Sequence, residues 1–428
     1  MRVLLIGQGG REHAIAWKLR QSPLVEELYV APGNAGMAEI ADRVPIGVAD
    51  IIELADFADK LKVDLTVVGP ELPLTLGIVE EFQKRDMVIF GPSRLASELE
   101  GSKVFSKEFM RKYGIPTGKA TICTSIDEAH AALKGGKYPQ VLKVDGLAAG
   151  KGVVIVNNKK EAEEYLQLAL GERRFGNAAD RILVEELLEG EEVSFMALTD
   201  GKRVVPFAPS KDYKKAFDGD QGPNTGGMGS HSPAVVLTGE TAAEIMKTIV
   251  LPTVQGMAAE GRPYSGCLYV GLMLTSEGPK VLEYNCRFGD PETQSQLLRL
   301  EDDLADVLLQ IARGSLTHTK LNWLKEAAAC VVVCAEGYPG EVTKGVPVTI
   351  DPIDDPAVVL FHSGTEMRDE VMVNVAGRVV SVCARAPSLS EALSRAYAAA
   401  PRARFEGAWY RKDIGYRALE QWKQAAGE

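Results

Sequence analysis

The stretch LEYNCRFGDPETQ, residues 282–294, follows an apolar run, CLYVGLML, at residues 267–274. Just before and within it, Val281, Glu283 and Asn285 occupy every second position, so on a β-strand their side chains project from one face. The oxygens of Glu283 and Asn285 would then lie side by side at a strand end, an arrangement that suits a hard cation. A solvated loop is the alternative explanation for so many polar residues.

The length and composition describe an ordinary globular protein with several domains. Its 428 residues predict two to four domains of about 100 to 200 residues each. With 46% hydrophobic and 25% charged residues, the chain has no uncharged apolar stretch of about 18 residues or more. The first residues, MRVLLIGQGG, fit a β-strand better than a signal peptide. We therefore expect a soluble, cytoplasmic protein that does not bind membranes.

Charge and cysteine content exclude several classes of function. The net charge of −11 argues against a general affinity for nucleic acid or anionic membranes, which bind basic surfaces. The six cysteines form no CxxC pair and are too sparse for a disulfide scaffold, so we expect reduced thiols. The five histidines form no HExxH motif, and zinc chemistry therefore has little support.

The first hundred residues alternate apolar strands with helical patterns, which predicts a parallel sheet with covering helices. GQGGREHAI, at residues 7–15, resembles a dinucleotide fingerprint, but Glu12 stands where the third glycine is needed. The backbone N–H groups of Gly9, Gly10 and Arg11 could still hold a phosphate at a helix start. A tight turn with a purely structural role is the alternative.

The pattern changes after residue 102. Strands and glycine-rich turns up to about residue 200 indicate an α+β unit with antiparallel hairpins. KDYKKAFDGDQGPNTGGMGS, residues 211–230, has no apolar period and predicts a long loop that is either functional or disordered. From about Ala327 the chain is rich in strands, with a hairpin-like pattern at residues 371–386 and a helix from about Ser388.

Two central motifs are suited to a nucleotide. DGLAAGKGV, residues 145–153, is not a Walker motif because its glycines and lysine have the wrong spacing. It could still fold over phosphates, and Lys143 would add a positive charge. VEELLEGEE, residues 184–192, could read adenine through its backbone and ribose through a carboxylate, although an exposed acidic hairpin is the alternative.

Taken in order, Lys103, Lys143 with DGLAAGKG, VEELLEGEEVSF and LEYNCRFGDPETQ resemble the ATP-grasp superfamily. Within that superfamily, the sequences of these motifs are similar to those of the glycinamide ribonucleotide synthetases, the phosphoribosylamine–glycine ligases of purine synthesis. The likeness extends over the chain, from GQGGREHA, APGNAG and VVGPE to FHSGT and DIGYRAL. Such a series of motifs is highly specific.

The resemblance implies a multidomain α/β and α+β fold. A Rossmann-like, pre-ATP-grasp domain with a parallel sheet would span residues 1–102 and bind substrate. An ATP-grasp domain would span 103–326, with a lid subdomain at about 118–190. A strand-rich C-terminal domain would span 327–428.

The same resemblance implies roles for individual residues. ATP would be bound by Lys103, Lys143, Gly146, Gly150, Lys151, Gly152, Glu185, Leu188 and Glu192. Glu191 is the less favoured alternative to Glu192 on the ribose. Mg²⁺, or Mn²⁺, would be held by Glu283 and Asn285. Arg287 would pair with the carboxylate of glycine or its acyl phosphate. A glycine pocket also needs an acid for the ammonium group, and we expect Asp212 in that role; the alternative is that Asp212 pairs with Lys211, Lys214 or Lys215 in a solvated loop. The remaining substrate contacts would come from Gly9, Gly10, Arg11, Asn34, Glu71, Gly226, Gly227 and Asp290.

The reaction implied is the ATP-dependent ligation of glycine to 5-phosphoribosylamine through glycyl phosphate. Gly271 stands where many superfamily members place an additional acid, which leaves the number of metal ions open. A transient contact with the enzyme that supplies phosphoribosylamine is a further hypothesis. The alternatives are another ATP-grasp ligase, a biotin-dependent carboxylase subunit, an NAD(P)-binding oxidoreductase and a nonenzymatic nucleotide-binding regulator.

Overall fold

The computed structural model describes residues 1–146 and 152–426. Within these ranges the helices, α1 to α14 in chain order, are Gly10–Leu19, Ile51–Leu61, Glu71–Leu76, Ile78–Gln83, Glu98–Gly101, Lys103–Lys112, Ile126–Lys134, Lys159–Leu166, Gly239–Ile245, Leu251–Ala259, Glu292–Leu297, Leu304–Ala312, Leu389–Ala399 and Tyr416–Ala426. The strands, β1 to β24, are Arg2–Gly7, Glu27–Pro32, Asp42–Arg43, Leu65–Val68, Ile89–Phe90, Ala120–Cys123, Gln140–Val144, Val153–Val156, Ile182–Glu186, Glu191–Thr199, Val204–Pro206, Lys211–Asp212, Lys215–Phe217, Gln221–Asn224, Gly229–Ser232, Gly266–Thr275, Gly278–Asn285, Ala327–Cys334, Thr349–Ile350, Val358–His362, Thr365–Arg368, Val371–Asn374, Arg378–Ala386 and Ala403–Arg404.

The N-terminal region is built on a five-stranded sheet in the order β3-β2-β1-β4-β5. All its pairings are parallel, which confirms the predicted parallel sheet. β1 and β4 are buried over nearly their whole length, as expected for strands covered on both faces by helices. The carboxyl ends of these strands therefore open toward the rest of the molecule, at the edge where such sheets bind ligands.

The central region contains two antiparallel sheets. One has the order β6-β9-β7-β8 and packs against α7 and α8 around a separate small hydrophobic core. The other has the order β11-β10-β16-β17 and is part of the main core. The predicted antiparallel hairpins are thus present, and the smaller sheet has a core of its own.

The C-terminal sheet has the order β12-β15-β18-β23-β20 and includes two strands from the central part of the chain. The segment 211–230 was expected to be a long loop, but it contains β12, the β13–β14 hairpin and the start of β15. The prediction missed these strands because each is only two to four residues long. Central and C-terminal sequences therefore share one sheet.

The hairpin predicted at residues 371–386 is wrong. β22 pairs with β21, whereas β23 lies between β18 and β20. β23 is buried over most of its length, and this burial suits a central position in the sheet better than a two-stranded hairpin. Among the described residues, the helices are too short or too polar to traverse a bilayer.

Candidate active site

A cavity of about 620 Å³ opens where the N-terminal, central and C-terminal regions meet. Of the residues predicted from the sequence, those on its wall are Arg11, Glu71, Lys103, Lys143, Gly152, Glu185, Asp212, Gly226, Glu283, Asn285, Arg287 and Asp290. The other polar residues on the wall, to which the sequence analysis assigned no site role, are Glu100, Ser106, Lys107, Lys214, Thr225, Tyr269, Tyr284, Glu292 and Arg378. The cavity is therefore lined by charged groups of both signs.

Lys103 and Lys143 approach one end of the cavity from different elements. Ser102 caps α6 by accepting the N–H of Phe105, so the helix begins at Lys103, whose Nζ donates to the carbonyl of Gly146 at 3.1 Å. Lys143, on β7, forms a 3.1 Å ion pair with Glu185. Together with the contact of Lys103 to Gly146, the two lysines provide positive charge on the cavity wall where phosphate oxygens could bind.

Lys107 is a third lysine at this end and was not predicted as a site residue. Its Nζ donates to Thr117 Oγ1 at 2.8 Å and lies 3.4 Å from Glu185. Burial lowers its pKa to about 8, although Glu185 opposes that shift. Its position four residues after Lys103, on the same helix face, is the sequence signal that could have identified it.

Glu283 and Asn285 reach the cavity because β17 contains a bulge. Gly271 pairs with Glu283, whereas the next residue of β16 pairs with Val281, so Leu282 is an extra residue. Val281 is 1% exposed and packs in the core. The alternation expected from Val281 onward is therefore wrong, although Glu283 and Asn285 do share the cavity face.

Glu283 lies among cations. Burial favours its neutral form, but Lys214, Lys143 and Lys103 together hold the pKa of Glu283 below its ordinary value. The Asn285 amide oxygen accepts from Arg287 at 3.2 Å. An ionised carboxylate and an amide oxygen are ligands that Mg²⁺ accepts when phosphate oxygens complete the shell.

A larger metal cluster is not present in the described part of the chain. In those residues, no group of three or more His, Cys, Asp or Glu side chains is placed to hold a metal ion. At Gly271, a Cβ atom would lie 3.3 Å from Glu283 Cγ, so an additional acid there would crowd the first. The protein groups thus fit a cation that is shared with a phosphorylated ligand.

Arg287 is held between two acids on the cavity wall. Its guanidinium lies 3.2 Å from Glu71 and 3.3 Å from Glu100. Glu100, which the sequence reading missed, is buried and also accepts the N–H of Cys286 at 2.7 Å. Burial raises the pKa of Glu100, and Arg287 opposes that shift. The arrangement fixes the guanidinium in one orientation.

Asp212 ends β12 and is buried at the cavity, not solvated in a loop. Its carboxylate lies 3.9 Å from Lys214 Nζ and accepts from Ser194 Oγ at 3.5 Å. Ser194 Oγ also lies 2.8 Å from Glu292. Burial raises the pKa of Asp212 to about 7, against the effect of Lys214 and reinforced by Glu292. Asp212, Glu292 and Lys214 therefore lie close together in this part of the cavity.

Asp290 connects the N-terminal and C-terminal sides of the cavity. Its carboxylate forms a 3.1 Å ion pair with Arg378 and accepts from Gln294 at 2.7 Å. Burial favours the neutral acid, but Arg378 and Arg11 hold the pKa of Asp290 below its ordinary value. Arg11 donates to the carbonyl of Phe288 at 3.0 Å.

Several predicted residues do not line the cavity. They are Gly9, Gly10, Asn34, Gly146, Leu188, Glu192 and Gly227. Asn34 donates to the carbonyls of Gln8 and His362, at 2.9 and 2.7 Å, and its oxygen accepts the N–H of Met37 at 3.1 Å. The side chain of Asn34 therefore serves the junction between the N-terminal and C-terminal regions. Gly150 and Lys151 lie outside the described residues.

Glu12 explains the incomplete glycine fingerprint. The residue is buried, its carboxylate accepts the N–H of Gly9 at 2.7 Å, and it pairs with Arg11. A Cβ atom at Gly7 or Gly69 would lie 2.4 Å from Glu12 Cγ, so the side chain fills the space between the strand ends. Glu12 thus places a carboxylate where a dinucleotide fold would bind its pyrophosphate, and it uses the N–H of Gly9.

Comparisons with known proteins point to one family over nearly the whole chain. Models of the phosphoribosylglycinamide synthetase N domain, ATP-grasp (A) domain and C domain match residues 1–100, 101–293 and 328–417. Phosphoribosylamine–glycine ligase of Escherichia coli O6:H1 is 48% identical, covering 98% of this chain and 99% of its own. The enzyme of that name from Vibrio vulnificus is 46% identical, covering 99% and 100%.

Solved structures agree with the sequence relatives. The crystal structure of phosphoribosylamine–glycine ligase from Thermotoga maritima has a TM-score of 0.85 and 34% identity, covering 97% of this chain and all of its own. A biotin carboxylase domain from Hydrogenobacter thermophilus has a TM-score of 0.74 at 16% identity, covering 95% of this chain and 91% of its own. The second likeness concerns the fold alone.

Proposed function

The chain belongs to the phosphoribosylglycinamide synthetase family, and we propose that it ligates glycine to 5-phosphoribosylamine, converting ATP to ADP and phosphate and forming glycinamide ribonucleotide in de novo purine biosynthesis. It is an ATP-dependent carboxylate–amine ligase. The observation that carries the proposal is the single cavity in which the lysines, the Glu283–Asn285 pair, Arg287 and Asp212 meet.

ATP would bind at the central end of the cavity. Lys103 and Lys143 would neutralise its phosphates, and the segment from Gly146 to Gly152 would cover them. Glu185 and Leu188 would contact adenine through their backbone, with Glu192 on the ribose. The ion pair that Glu192 forms with Lys214 supports that position, because it brings the carboxylate beside a wall residue.

Mg²⁺, or Mn²⁺, would be held by Glu283 and Asn285 and would supply charge neutralisation for the phosphates during transfer. We assign these two residues as the only protein ligands from the described parts of the chain. Their support is the low pKa of Glu283 and the amide oxygen beside it.

Glycine would lie between Arg287 and Asp212. Arg287 would hold its carboxylate, Asp212 its ammonium group, and Gly226 and Gly227 would restrict the space to an amino acid without a side chain. A carboxylate oxygen of glycine attacks the γ-phosphorus of ATP, which gives glycyl phosphate and ADP. No protein nucleophile is needed, since positioning and charge neutralisation provide the catalysis.

The amine of phosphoribosylamine then attacks the acyl carbon and displaces phosphate. Arg11, Glu71 and Asp290 would bind this substrate, with Glu71 accepting from its ribose hydroxyls. We retain Gly9 and Gly10 as phosphate-binding residues, although the N–H of Gly9 first has to leave Glu12. Asn34, whose donors and acceptor are taken by Gln8, His362 and Met37, would support this site only indirectly, by holding the loop at Gln8.

We further propose a cytoplasmic location, which the six free, buried cysteines support. We also keep, as a proposal, a transient contact with the enzyme that supplies phosphoribosylamine. The domain division at residues 1–102, 103–326 and 327–428 is also a proposal, and the shared C-terminal sheet shows how closely the last two parts are joined.

One experiment tests the proposed function. Purified protein is mixed with Mg²⁺ and ATP, and ADP release is measured with glycine alone, with phosphoribosylamine alone and with both. We expect turnover only with both substrates, together with glycinamide ribonucleotide as product. ADP release that ignores either substrate would contradict the proposal, and nucleotide binding without turnover would favour a regulatory protein.

A further inference from the structure

Arg378 reaches the cavity from β23 of the C-terminal region. Its Nη1 donates to the carbonyl of Gly226 at 2.7 Å and to that of Asp290 at 3.1 Å. Its Nη2 forms the 3.1 Å ion pair with the Asp290 carboxylate. One side chain therefore joins the C-terminal sheet to the glycine-rich segment after β14 and to the loop after β17.

Tyr338 completes this contact. Its hydroxyl oxygen accepts the N–H of Gly226 at 2.9 Å, so both backbone polar groups of Gly226 bind C-terminal side chains. A Cβ atom at Gly226 would lie 3.3 Å from both Arg378 Cζ and Tyr338 Oη. At Gly377, a Cβ atom would meet the Tyr338 ring at 2.2 Å. Tyr338, Arg378 and Gly226 are therefore in direct contact at this wall, where Gly226 itself is exposed.

This wall borders the space where the acyl phosphate would form. Gly226, Asp290 and Arg378 all line the cavity, as do Thr225 and Arg11. An acyl phosphate reacts with water as well as with an amine, so the cavity has to exclude water during the reaction. A planar guanidinium can bind a carbonyl and a carboxylate at once, which a lysine ammonium does less well.

We propose that Arg378 is a positioning residue that, together with Tyr338, seals this wall and keeps water from the acyl phosphate. The inference rests on the proposed function. When the seal is broken, the oxygen of a water molecule attacks the carbonyl carbon, and the bond from that carbon to the phosphate oxygen breaks. Glycine and phosphate leave, the protons of water pass to solvent, and ATP has been hydrolysed without an amide product.

The test is the ratio of ADP to glycinamide ribonucleotide formed in the same reaction at saturating substrates. Wild-type protein is expected to form one of each. Arg378→Gln and Arg378→Lys are expected to form a several-fold excess of ADP that depends on glycine. Tyr338→Phe, which keeps the ring but loses the acceptor for Gly226, is expected to give a smaller excess.

Arg385→Gln is the matched control. Arg385 lies on the same strand, pairs with Glu326 at 3.6 Å and lines a separate cavity of about 170 Å³. The ratio of ADP to glycinamide ribonucleotide formed by this variant should stay at one. A merely destabilised enzyme also keeps a ratio of one, because a smaller folded fraction lowers both products equally.

The outcomes separate this inference from the proposed function. A ratio of one in both Arg378 variants and in Tyr338→Phe, whatever their rates, would overturn the seal. If Arg378→Gln does not fold, the lysine and tyrosine variants decide in the same way. Wild-type protein that makes no product from glycine and phosphoribosylamine would overturn the proposed function itself, and the inference with it.

Discussion

The cavity and the junction between the N-terminal and C-terminal regions both carry prominent sequence motifs, yet their polar groups are used differently. On the cavity wall, Glu283 is ionised among lysines and Asp212 faces Lys214 at 3.9 Å, so both keep oxygens available to a ligand. At the junction, the donors and acceptor of Asn34 are taken by protein groups. For these three residues, the difference is that the two cavity acids keep polar atoms for a ligand, whereas Asn34 has none left.

The junction also contains two histidines, of which His13 is buried and His362 half-buried. His13 Nδ1 accepts the N–H of His362 at 2.9 Å, and the two rings lie 5.6 Å apart. Gly36 packs between them, since a Cβ atom there would lie 2.4 Å from His362 Cδ2. The fit leaves no space for a ligand between the rings. The motifs GQGGREHA and FHSGT therefore meet here to join two regions of the fold.

The largest effect is expected at the metal pair of the cavity. Glu283→Gln and Asn285→Ala should each reduce turnover by about 100-fold or more, the scale for losing one group that stabilises developing charge, with an unchanged melting temperature. Steady-state ADP release and thermal unfolding measure the two quantities. Glu277→Gln is the control, because Glu277 precedes the same strand but is exposed and pairs with Lys280. Wild-type turnover in either cavity variant would remove the metal role.

The second effect concerns glycine. Asp212→Asn removes a charge-assisted hydrogen bond worth about 1.5–3 kcal/mol, which corresponds to a rise in the KM for glycine of about 10- to 150-fold. ATP binding should change little. Asp59→Asn is the control, since Asp59 is exposed on α2. Unchanged saturation by glycine would move the ammonium-binding acid to Asp290 or Glu292.

The pH dependence sharpens this prediction. Only the ionised form of Asp212 attracts an ammonium group, and its pKa is about 7 because of burial. In the wild type, kcat/KM for glycine should therefore increase as the pH rises through about 7, and it should be lower at pH values below 7. The asparagine variant should lack this dependence. A wild-type profile that is flat between pH 6 and 8 would contradict the assignment.

The sequence predicted the fold more fully than the cavity. The parallel sheet follows from apolar runs that alternate with helical periods, a local signal. The shared face of Glu283 and Asn285 was also predictable, but the bulge at Leu282 was not, because it depends on pairing with β16. Arg378 gave no local signal, since it meets Asp290 across 88 residues of chain.

Polar motif residues were harder to interpret. In the sequence, Glu12, Asn34 and Glu71 look alike, because each is a polar residue within five positions after the glycine that follows or ends a strand. The capping contact of Glu12 with Gly9 is local, but only tertiary packing shows that Glu12 fills the space between strands, whereas Glu71 remains on the cavity wall. Residue type alone therefore cannot separate the two regions compared above.

The third effect is on stability at the junction. Asn34→Ala leaves the carbonyls of Gln8 and His362 without their donor, and we expect a loss of about 1–3 kcal/mol in the free energy of unfolding. Chemical denaturation measures this loss. The KM values of the folded variant should stay close to wild type. A raised KM for phosphoribosylamine with unchanged stability would instead place Asn34 among the binding residues and break the comparison.

The smallest effect is expected in how steeply the free energy of unfolding changes with pH. Burial lowers the pKa of His13 to about 3 and that of His362 to about 4, from an ordinary value of 6.5. Between pH 4 and 6.5 the unfolded chain binds protons that the folded chain does not. The stability contributed by the neutral histidines is thus complete above pH 6.5 and is lost as the pH falls. His362→Asn removes one such site and should make the slope of the free energy of unfolding against pH shallower by up to about 1.4 kcal/mol per pH unit.

Phe361→Leu is the matched control. It loosens packing against His13 without removing a titrating group, so it should lower the free energy of unfolding at every pH without changing its slope. Equal slopes in wild type and His362→Asn would show that His362 is not held neutral, and the junction would then be less tightly closed than its contacts indicate.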